Sequence, residues 1–322
     1  MSLQHFFIIA SLFLLEIFYF RIADKFNIID KPNARSSHTQ VTIRGGGIIF
    51  AIAVLFFCFL FNFRFPFFTI GLIAISLISF LDDILTLKNK VRLTVHILAV
   101  LLLFREWNLF DFNWYWLLIA GIFVIATINA YNFMDGINGI TGSYSLLAIC
   151  SLYYINEKVI VFTSSEFIII TGLSLLVFNF FNFRKVAKCF AGDVGSISIA
   201  FIIIFLIGQL ILKTQNFSYI LLLLCYGLDT VFTIGFRLIR KENIFKAHRS
   251  HFYQYLSNER KWSHLKVSVL YFILQLFINV LIIFFIKDSL LMAFALVLLC
   301  GALFLILRFL MEGSKRLLKE IG

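Results

Sequence analysis

Acidic side chains in this sequence collect beside long apolar runs. Asp82 and Asp83 end the run that closes in SFLDD, Asp135 follows the run that ends in NAYNFM, and Asp193 precedes another run in FAGDVGS. Carboxylates at the edges of apolar segments suit two kinds of chemistry, which are holding a divalent metal ion and moving a proton on a phosphate group. We therefore take these four aspartates as the candidate centre of a site.

The adjacent aspartates Asp82 and Asp83 are a poor choice for structure alone. Two neighbouring carboxylates at the C-terminus of a helix oppose the helix dipole and repel each other. A solvated loop start is the simpler explanation when the pair is taken alone. A carboxylate pair at a membrane edge also suits a general base, so we predict a catalytic role for one of the two.

The segment NAYNFMDGINGITG carries a polar stripe. Asn129, Asn132 and Asp135 follow one another at steps of three residues, which places them on one face of an emerging helix. Asn138 continues the spacing beyond the first glycine. The glycines allow close approach of the backbone to a bulky ligand, although tight helix packing explains them equally well. Polar side chains at a membrane edge cost free energy unless they bind a partner, so we predict that the stripe binds substrate.

Asp193 lies between two glycines at the start of an apolar run. As an N-cap residue, an aspartate at this position needs no further explanation. A helix N-terminus of this kind is also where a phosphate and its Mg²⁺ would bind. Both interpretations stay open at the level of the sequence.

The segment AHRSHFYQYL places His248, His251 and Gln254 on one face if it is helical, with Arg249 beside them. Neither a cysteine nor a third histidine is close enough in sequence to complete a zinc site. We therefore predict that cationic His248, together with Arg249 and His251, contacts phosphate. The alternative is a basic amphipathic helix that lies on the membrane surface.

Two further features could serve a site. In DKPNARSSHTQVTIRGGG, Arg35, His38 and Arg44 with Gly45–Gly47 could grip a phosphate at the start of the second apolar run. A flexible loop with charges that set topology is equally plausible. Asp229 lies inside the ninth apolar run, and a carboxylate within a membrane is a functional candidate by default.

The elements that position these residues follow from composition. Of the 322 residues, 61% are hydrophobic and 14% charged, and the mean hydropathy is +0.97. A soluble fold could not bury so much apolar surface, so most of the chain is expected to lie in lipid. Lipid offers no partner for an unpaired backbone group, and helices satisfy theirs internally. We predict one all-α integral-membrane domain over residues 1–322, a polytopic bundle of transmembrane helices.

About eleven spans are predicted, and they begin near residues 5, 46, 66, 91, 114, 139, 166, 194, 218, 264 and 289. The fourth, Val91–Phe104, is short, so ten spans are the alternative. The first run lacks a basic leader and a cleavage site, and we expect it to be a retained span. Of the 28 Lys and Arg residues, 23 fall in one set of alternate loops. By the positive-inside rule that face is cytoplasmic, the N-terminus is periplasmic and the C-terminus cytoplasmic. The basic charge thus reflects topology, and no nucleic-acid partner is expected.

Together, the stretches PNARSSH, RGGG, YNFMDGINGI, GDVGS and AHRSHxxQ resemble the polyprenyl-phosphate N-acetylhexosamine-1-phosphate transferase family, glycosyltransferase family 4. The resemblance runs from about Asp30 to Gln254 and is strongest to the branch that initiates O-antigen and related surface polysaccharides. It implies an enzyme of the bacterial inner membrane whose active site faces the cytoplasm. The implied reaction moves N-acetylhexosamine-1-phosphate from a UDP-N-acetylhexosamine to undecaprenyl phosphate and releases UMP. The implied cofactor is Mg²⁺, with Mn²⁺ as the alternative.

The same resemblance assigns roles to particular residues. Asp193 corresponds to the Mg²⁺ ligand, with Asn132 near it, and one member of the Asp82–Asp83 pair would deprotonate the acceptor phosphate. The residues that would follow the uridine and the diphosphate are Asn132, Asp135, Phe190, His248, Arg249 and His251. Asn138 stands where many members carry a second aspartate, and His96 stands where Gln or Lys is frequent and receives no role.

Other functions predict different sequence features. Members that transfer the muramoyl-pentapeptide carry three consecutive histidines where this chain has HRSH, so a single N-acetylated sugar is the favoured donor. No motif selects among GlcNAc, GalNAc, QuiNAc and FucNAc. A transporter would hold its binding residues near the bilayer midplane, where only Asp229 lies. A purely structural subunit leaves the aspartate pair unexplained. The expected partners are the two substrates and membrane lipids, and a homodimer is allowed.

Overall fold

The computed structural model describes residues 3–32, 40–85, 87–244 and 248–319. The longer helices are α1 (Leu3–Lys25), α2 (Ile48–Leu60), α3 (Pro66–Leu85), α4 (Asn89–Glu106), α5 (Trp114–Met134), α6 (Ile140–Lys158), α7 (Ser165–Asn182), α8 (Gly192–Thr214), α9 (Leu224–Ile239), α11 (His264–Val280) and α12 (Leu290–Glu312). A 3₁₀ segment, Phe217–Leu223, leads into α9, and a π-helical segment, Leu281–Ile286, extends α11.

Short elements complete the chain. They are the helices α10 (Phe252–Gln254) and α13 (Ser314–Leu318), the 3₁₀ turn Leu109–Asp111, the π-helical turn Tyr255–Glu259, and the antiparallel strands β1 (Ile29–Asp30) and β2 (Thr42–Ile43). The predicted all-α class is thus confirmed apart from this two-residue ladder.

Each predicted span start lies within two residues of the beginning of one of these helical segments. In the described part of the chain, eight helical segments are long and apolar enough to cross a membrane. They include α1, α3, α5, α7, α8 and α12. The segments 217–239 and 264–286 are the other two. The chain is therefore a multi-pass membrane protein. The number of spans and their orientation remain predictions.

Helix α8 forms the centre of the bundle. All residues from Val194 to Ile207 are buried, and α2, α3, α5 and α6 pack around the helix. A helix that is apolar on every side has this position because each face must be covered. By contrast, only 11% of the apolar window of α12 is buried, which leaves that helix at the periphery. The central position of α8 fixes its first turn, where Asp193 lies, against the ends of its neighbours.

The irregular start of α9 is stabilised by a buried amide. The Gln275 side chain of α11 accepts the N–H of Cys225 (2.9 Å) and donates to the Leu221 carbonyl (2.9 Å), and the Tyr144 hydroxyl donates to the same amide oxygen. Backbone groups that leave a regular helix within a membrane need partners of this kind. These contacts hold in place the helix that carries Asp229.

Candidate active site

Asp83, in the last turn of α3, caps the N-terminus of α8. Its carboxylate accepts the backbone N–H groups of Asp193 (3.0 Å) and Val194 (3.1 Å), and the Arg44 Nε lies 2.7 Å from its Oδ1. The Asp83 side chain is fully buried. Free N–H groups and the positive end of the helix dipole favour an anion here. A Cβ at Gly192 would lie 2.6 Å from the Asp83 carboxylate, so the approach requires glycine.

The predicted N-cap role of Asp193 is wrong. Helix α8 begins at Gly192, so Asp193 belongs to the first helical turn, and its own backbone N–H is capped by Asp83. The Asp193 side chain is therefore not needed to satisfy the helix end. It is 21% exposed and points to other partners.

Five charged side chains form an alternating series, the carboxylate–guanidinium chain, in the order Asp83, Arg44, Asp193, Arg92 and Asp82. Arg44 Nη2 lies 3.5 Å from Asp193 Oδ1, and Arg92 Nη2 lies 3.2 Å from Asp193 Oδ2. Arg92 Nη1 also pairs with Asp82, whose other oxygen accepts the N–H of Leu87 (2.6 Å). The structure thus brings together three of the four predicted aspartates.

Arg92 is the site residue that the sequence analysis missed. In the sequence its charge indicates only topology, because the sequence does not show that α4 packs against α3 and brings Arg92 to the first turn of α8. The one available signal was a guanidinium in the first turn of the helix that follows the aspartate pair. One arginine can pair with two carboxylates at once, because its planar guanidinium group offers several N–H donors.

The RGGG segment packs along the segment that precedes α8. Gly46 N–H donates to the Phe190 carbonyl (2.9 Å), and Phe190 N–H donates to the Ile43 carbonyl (2.8 Å). A Cβ at Gly47 would lie 2.2 Å from the Gly195 Cα, so this glycine serves close packing. Arg44 contacts Asp83 and Asp193, whereas Arg35 and His38 lie outside the described residues. Gly45, predicted to bind substrate, adopts a left-handed backbone (φ +82°) against Tyr19.

The predicted polar stripe on α5 is broken at its end. The helix stops at Met134, and Asp135 has left the helical conformation (ψ 62°), so it does not continue the face of Asn129 and Asn132. Asn129 is exposed and donates to the Ile125 carbonyl of its own helix (2.9 Å). Burial raises the pKa of Asp135 to about 7, and the negative charges of Asp193 and Asp83 act in the same direction. Asp135 therefore lies within electrostatic range of Asp193 and Asp83, although no hydrogen bond or ion pair joins it to them.

Asn138 has a structural role that the sequence analysis did not foresee. Its side-chain amide nitrogen donates to the backbone carbonyls of Arg184 (2.9 Å) and Lys185 (3.2 Å), and its backbone carbonyl accepts the hydroxyl of Ser268 (2.8 Å). Both hydrogens of this amide are thus used within the protein, whereas its Oδ1 has no partner among the described residues, and substrate binding by Asn138 stays a prediction.

A cavity of about 370 Å³ adjoins Asn138. Phe190 and Lys185 line it, together with Thr42 and His264. Two predicted substrate residues, Asn138 and Phe190, thus share one concave surface. A cavity of this volume is in the range that binds a nucleotide-sized ligand.

Residues 248–254, the histidine segment, contact the C-terminal end of α5. The rings of His248 and His251 stack at 5.0 Å, and the Phe133 ring lies 6.0 and 6.1 Å from them. The Tyr253 hydroxyl donates to the Phe133 carbonyl (2.8 Å). This contact joins the segment to the residues just before Asp135.

Three predictions about this segment are wrong. Residues 248–251 are not helical, so the i, i+3, i+6 face does not exist, and the Gln254 side chain instead accepts the His251 N–H (3.3 Å). Phe252 and Tyr253 are buried, which excludes a helix on the membrane surface. Burial lowers the pKa of His248 to about 4, helped by the charge of His251, so His248 is neutral rather than cationic at neutral pH.

The Asp229 carboxylate is also engaged in hydrogen bonds within the protein. It is fully buried and accepts donors from the histidine segment, including the Phe252 N–H (2.9 Å) and the His251 Nδ1 (3.3 Å). Its place inside α9 is thus explained by contacts within the protein.

The donor chemistry of the site fits Mg²⁺. In the described ranges, no three His, Cys, Asp or Glu side chains are close enough to hold a metal ion as a cluster. Mg²⁺, however, is commonly held by one or two carboxylates together with substrate phosphates and waters. Asp193 offers such oxygens, which are now paired with Arg44 and Arg92 and partly exposed. The structure gives no contact between Asp193 and Asn132.

Comparisons with known proteins show a family match and several related sequences. Residues 65–211 match the model of glycosyl transferase family 4. The probable undecaprenyl-phosphate N-acetylglucosaminyl 1-phosphate transferase of Bacillus subtilis is 26% identical over 276 residues, or 79% of this chain and 76% of the relative. The undecaprenyl-phosphate alpha-N-acetylglucosaminyl 1-phosphate transferase of Salmonella typhi is 28% identical over 72% of this chain and 71% of its own. A phospho-N-acetylmuramoyl-pentapeptide-transferase of Thermotoga petrophila is 26% identical over 66% and 75%, respectively.

Proposed function

Because the chain belongs to glycosyl transferase family 4, we propose that it transfers N-acetylhexosamine-1-phosphate from a UDP-sugar to undecaprenyl phosphate. The observation that supports this most strongly is the carboxylate–guanidinium chain at the ends of α3 and α8. Charged groups at the ends of membrane helices are suited to a reaction between a water-soluble nucleotide and a phosphate tethered to the bilayer. The proposed location is the bacterial inner membrane, with the site on the cytoplasmic face.

The proposed metal ligand is Asp193, and Asn132 is a second candidate. Bound Mg²⁺ would neutralise the charge that develops on the pyrophosphate. Arg44 and Arg92 are placed to exchange an Asp193 oxygen for a phosphate oxygen, since guanidinium groups bind both anions in the same planar manner. This exchange would free the Asp193 carboxylate for the cation as the donor arrives.

Between the paired aspartates, Asp82 is the better candidate for the base that takes the acceptor proton. Asp83 is fully buried, and its oxygens accept two backbone N–H groups besides the Arg44 guanidinium. The Asp82 side chain keeps 10% exposure. A base must reach the proton that it removes, and burial prevents Asp83 from doing so.

The cavity beside Phe190 is the proposed binding place of the nucleoside. An aromatic face can stack on uracil, and Lys185 at the rim can meet a phosphate. His251 and Arg249 would approach the diphosphate from the other side, next to Phe133. Neutral His248 would serve as a hydrogen-bonding group and not as a counter-charge.

The proposed donor is a simple N-acetylated sugar for a surface polysaccharide such as O-antigen. The HRSH segment in place of three consecutive histidines supports this choice. The muramoyl-pentapeptide donor is the second candidate, because a relative that carries its name matches 66% of the chain.

The test is release of UMP by the purified protein with undecaprenyl phosphate, first with UDP-N-acetylglucosamine and then with a panel of UDP-sugars. We expect release that requires Mg²⁺ and at least one simple N-acetylhexosamine donor. Use of the muramoyl-pentapeptide donor with refusal of every simple sugar would reject the proposed branch. Absence of UMP release from all donors, in protein that is folded by circular dichroism, would reject the reaction itself.

A further inference from the structure

Asp229 is the most heavily engaged carboxylate within a membrane helix of the described chain. Its Oδ1 accepts the Phe252 N–H (2.9 Å), the Thr233 hydroxyl (3.1 Å) and the His251 Nδ1 (3.3 Å). Its Oδ2 accepts the Tyr253 N–H (3.3 Å) and the Tyr271 hydroxyl. The residue itself is fully buried.

These contacts require the histidine segment to fold back into the bundle. Asp229 precedes the end of α9 by ten residues, which is about 15 Å along the helix at a rise of 1.5 Å per residue. The chain leaves α9 and returns beside it, so that α10 begins against the middle of α9. Irregular backbone is tolerated at such depth only where protein groups satisfy it, and Asp229 does so.

Arg308 of α12 holds the same segment from the other side. It donates to the Ser250 carbonyl (2.9 Å) and to the Thr233 hydroxyl (2.9 Å), which in turn donates to Asp229. The Glu312 carboxylate balances the Arg308 charge. The segment is thereby fixed on both flanks of His251.

One atom of this cluster is left without a partner. The Nε2 of His251 is buried and has no hydrogen-bond partner among the described residues, while Nδ1 faces Asp229. The ring packs against His248 and Phe133, at the end of α5 that leads to Asp135. An unpartnered ring nitrogen at this place calls for a ligand, because burial of an unpaired polar atom is costly.

We propose that Asp229 is a positioning residue: its carboxylate accepts the Nδ1–H of His251 and so turns Nε2 toward the phosphate groups of the donor, to which the doubly protonated ring donates an Nε2–H hydrogen bond. This proposal rests on the proposed function and deepens it. Only a carboxylate suits the position: both of its oxygens accept hydrogen bonds, whereas an amide would turn an NH₂ group toward N–H or O–H donors. The backbone N–H groups of Phe252 and Tyr253 hold the two oxygens of the Asp229 carboxylate in place, which fixes the acceptor that faces Nδ1 of His251.

The first test is independent of turnover. In protein labelled with ¹⁵N-histidine, long-range ¹H–¹⁵N spectra report which ring nitrogen of each histidine carries a proton, and a His251→Gln variant identifies the signals of His251. We expect a proton on Nδ1 of His251 in the wild-type protein. A ring protonated on Nε2 alone would overturn the proposal, even if Asp229 variants do not fold.

The second test is a double-mutant cycle. Asp229→Asn should lower kcat about tenfold or more, as loss of an orienting partner typically does. In the His251→Gln background the same change should alter kcat less than about twofold, because the group that Asp229 orients is gone. Tyr271→Phe is the matched control, since it removes a donor to Oδ2 and leaves the contact with His251 intact.

Equal fold losses from Asp229→Asn in both backgrounds would show that Asp229 only stabilises the fold. If the wild-type protein releases no UMP, the proposed function fails, and the tautomer of His251 still decides the positioning role. The two failures are therefore distinguishable.

Discussion

The Asp83 carboxylate accepts the backbone N–H of Asp193 at 3.0 Å, although 110 positions separate the two residues. The contact joins the C-terminal end of α3 to the N-terminal turn of α8. Because the donor is a helix backbone group, the distance between the two aspartates depends on helix packing and not on flexible side chains. The electrostatic field at Asp193 is thereby set by the fold.

Removal of the Asp83 carboxylate should destabilise the protein. Asp83→Ala leaves two backbone N–H groups of α8 without an acceptor and removes one of the two carboxylates that pair with Arg44. An unsatisfied buried group costs about 1–3 kcal/mol, so we expect a clear fall in the unfolding temperature in detergent. The unfolding temperature of the Asp83→Asn variant should fall less. Asp82→Asn is the control, and equal losses at both positions would argue against the cap.

Arg92 should matter for activity more than for stability. Its side chain is 27% exposed, and a partly exposed ion pair contributes no more than about 1 kcal/mol. We expect Arg92→Gln to lower kcat at least tenfold with little change in unfolding temperature, because Asp82 and Asp193 lose their shared cation. Arg92→Lys should retain only part of the wild-type activity, since an ammonium group lacks the planar set of N–H donors of a guanidinium. Lys90→Gln, exposed on the same helix, should behave as wild type.

Asp135 should make stability depend on pH. Its pKa is raised from 3.8 to about 7, so the folded state favours the neutral form. This contribution is fully present below about pH 4 and is lost as the pH rises through about 7. The unfolding temperature of the wild type should therefore fall between pH 5 and 8 relative to Asp135→Asn. The exposed Asp111→Asn is the control, and parallel curves for Asp135→Asn and wild type would contradict the prediction.

Asp193→Asn should abolish turnover and leave the protein folded. The fold does not depend on its carboxylate, because Asp83 caps α8, while the proposed metal ligand is lost. The measurement is UMP release across a range of Mg²⁺ concentrations, with removal of Mg²⁺ by a chelator as the reference. Near-normal release with an unchanged Mg²⁺ requirement would exclude Asp193 as the metal ligand.

The predicted orientation can be tested by labelling from outside the cell. Single cysteines at the exposed positions Lys90 and Val161 lie on opposite predicted faces. In a background without the five native cysteines, a membrane-impermeant thiol reagent should label Val161→Cys in intact cells. Lys90→Cys should react only after permeabilisation. The reverse pattern would invert the topology.

The helices could be predicted closely because long apolar runs with few charges define them. The partners of the charged residues could not. Arg92 and Asp193 are far apart in sequence, and apolar periodicity says nothing about which helix ends meet. The conformation of residues 248–251 was mispredicted for a related reason. Spacing suggested a helical face, but Asp229 and Arg308, which belong to distant helices, determine the backbone there.

The carboxylate–guanidinium chain also has a consequence for synthesis. Arg44 and Asp193 lie about 150 positions apart, which a bacterial ribosome covers in about 7 to 30 s at 5–20 residues per second. During that interval, α3 and α4 are already made, yet Asp83 has no helix amides to accept, and Arg44 and Arg92 lack the carboxylate that they share. The first turn of α8 completes all of these contacts together. Nascent chains that stop before Gly192 therefore hold two separate ion pairs, Arg44 with Asp83 and Arg92 with Asp82, and lack the Asp193 carboxylate that links them.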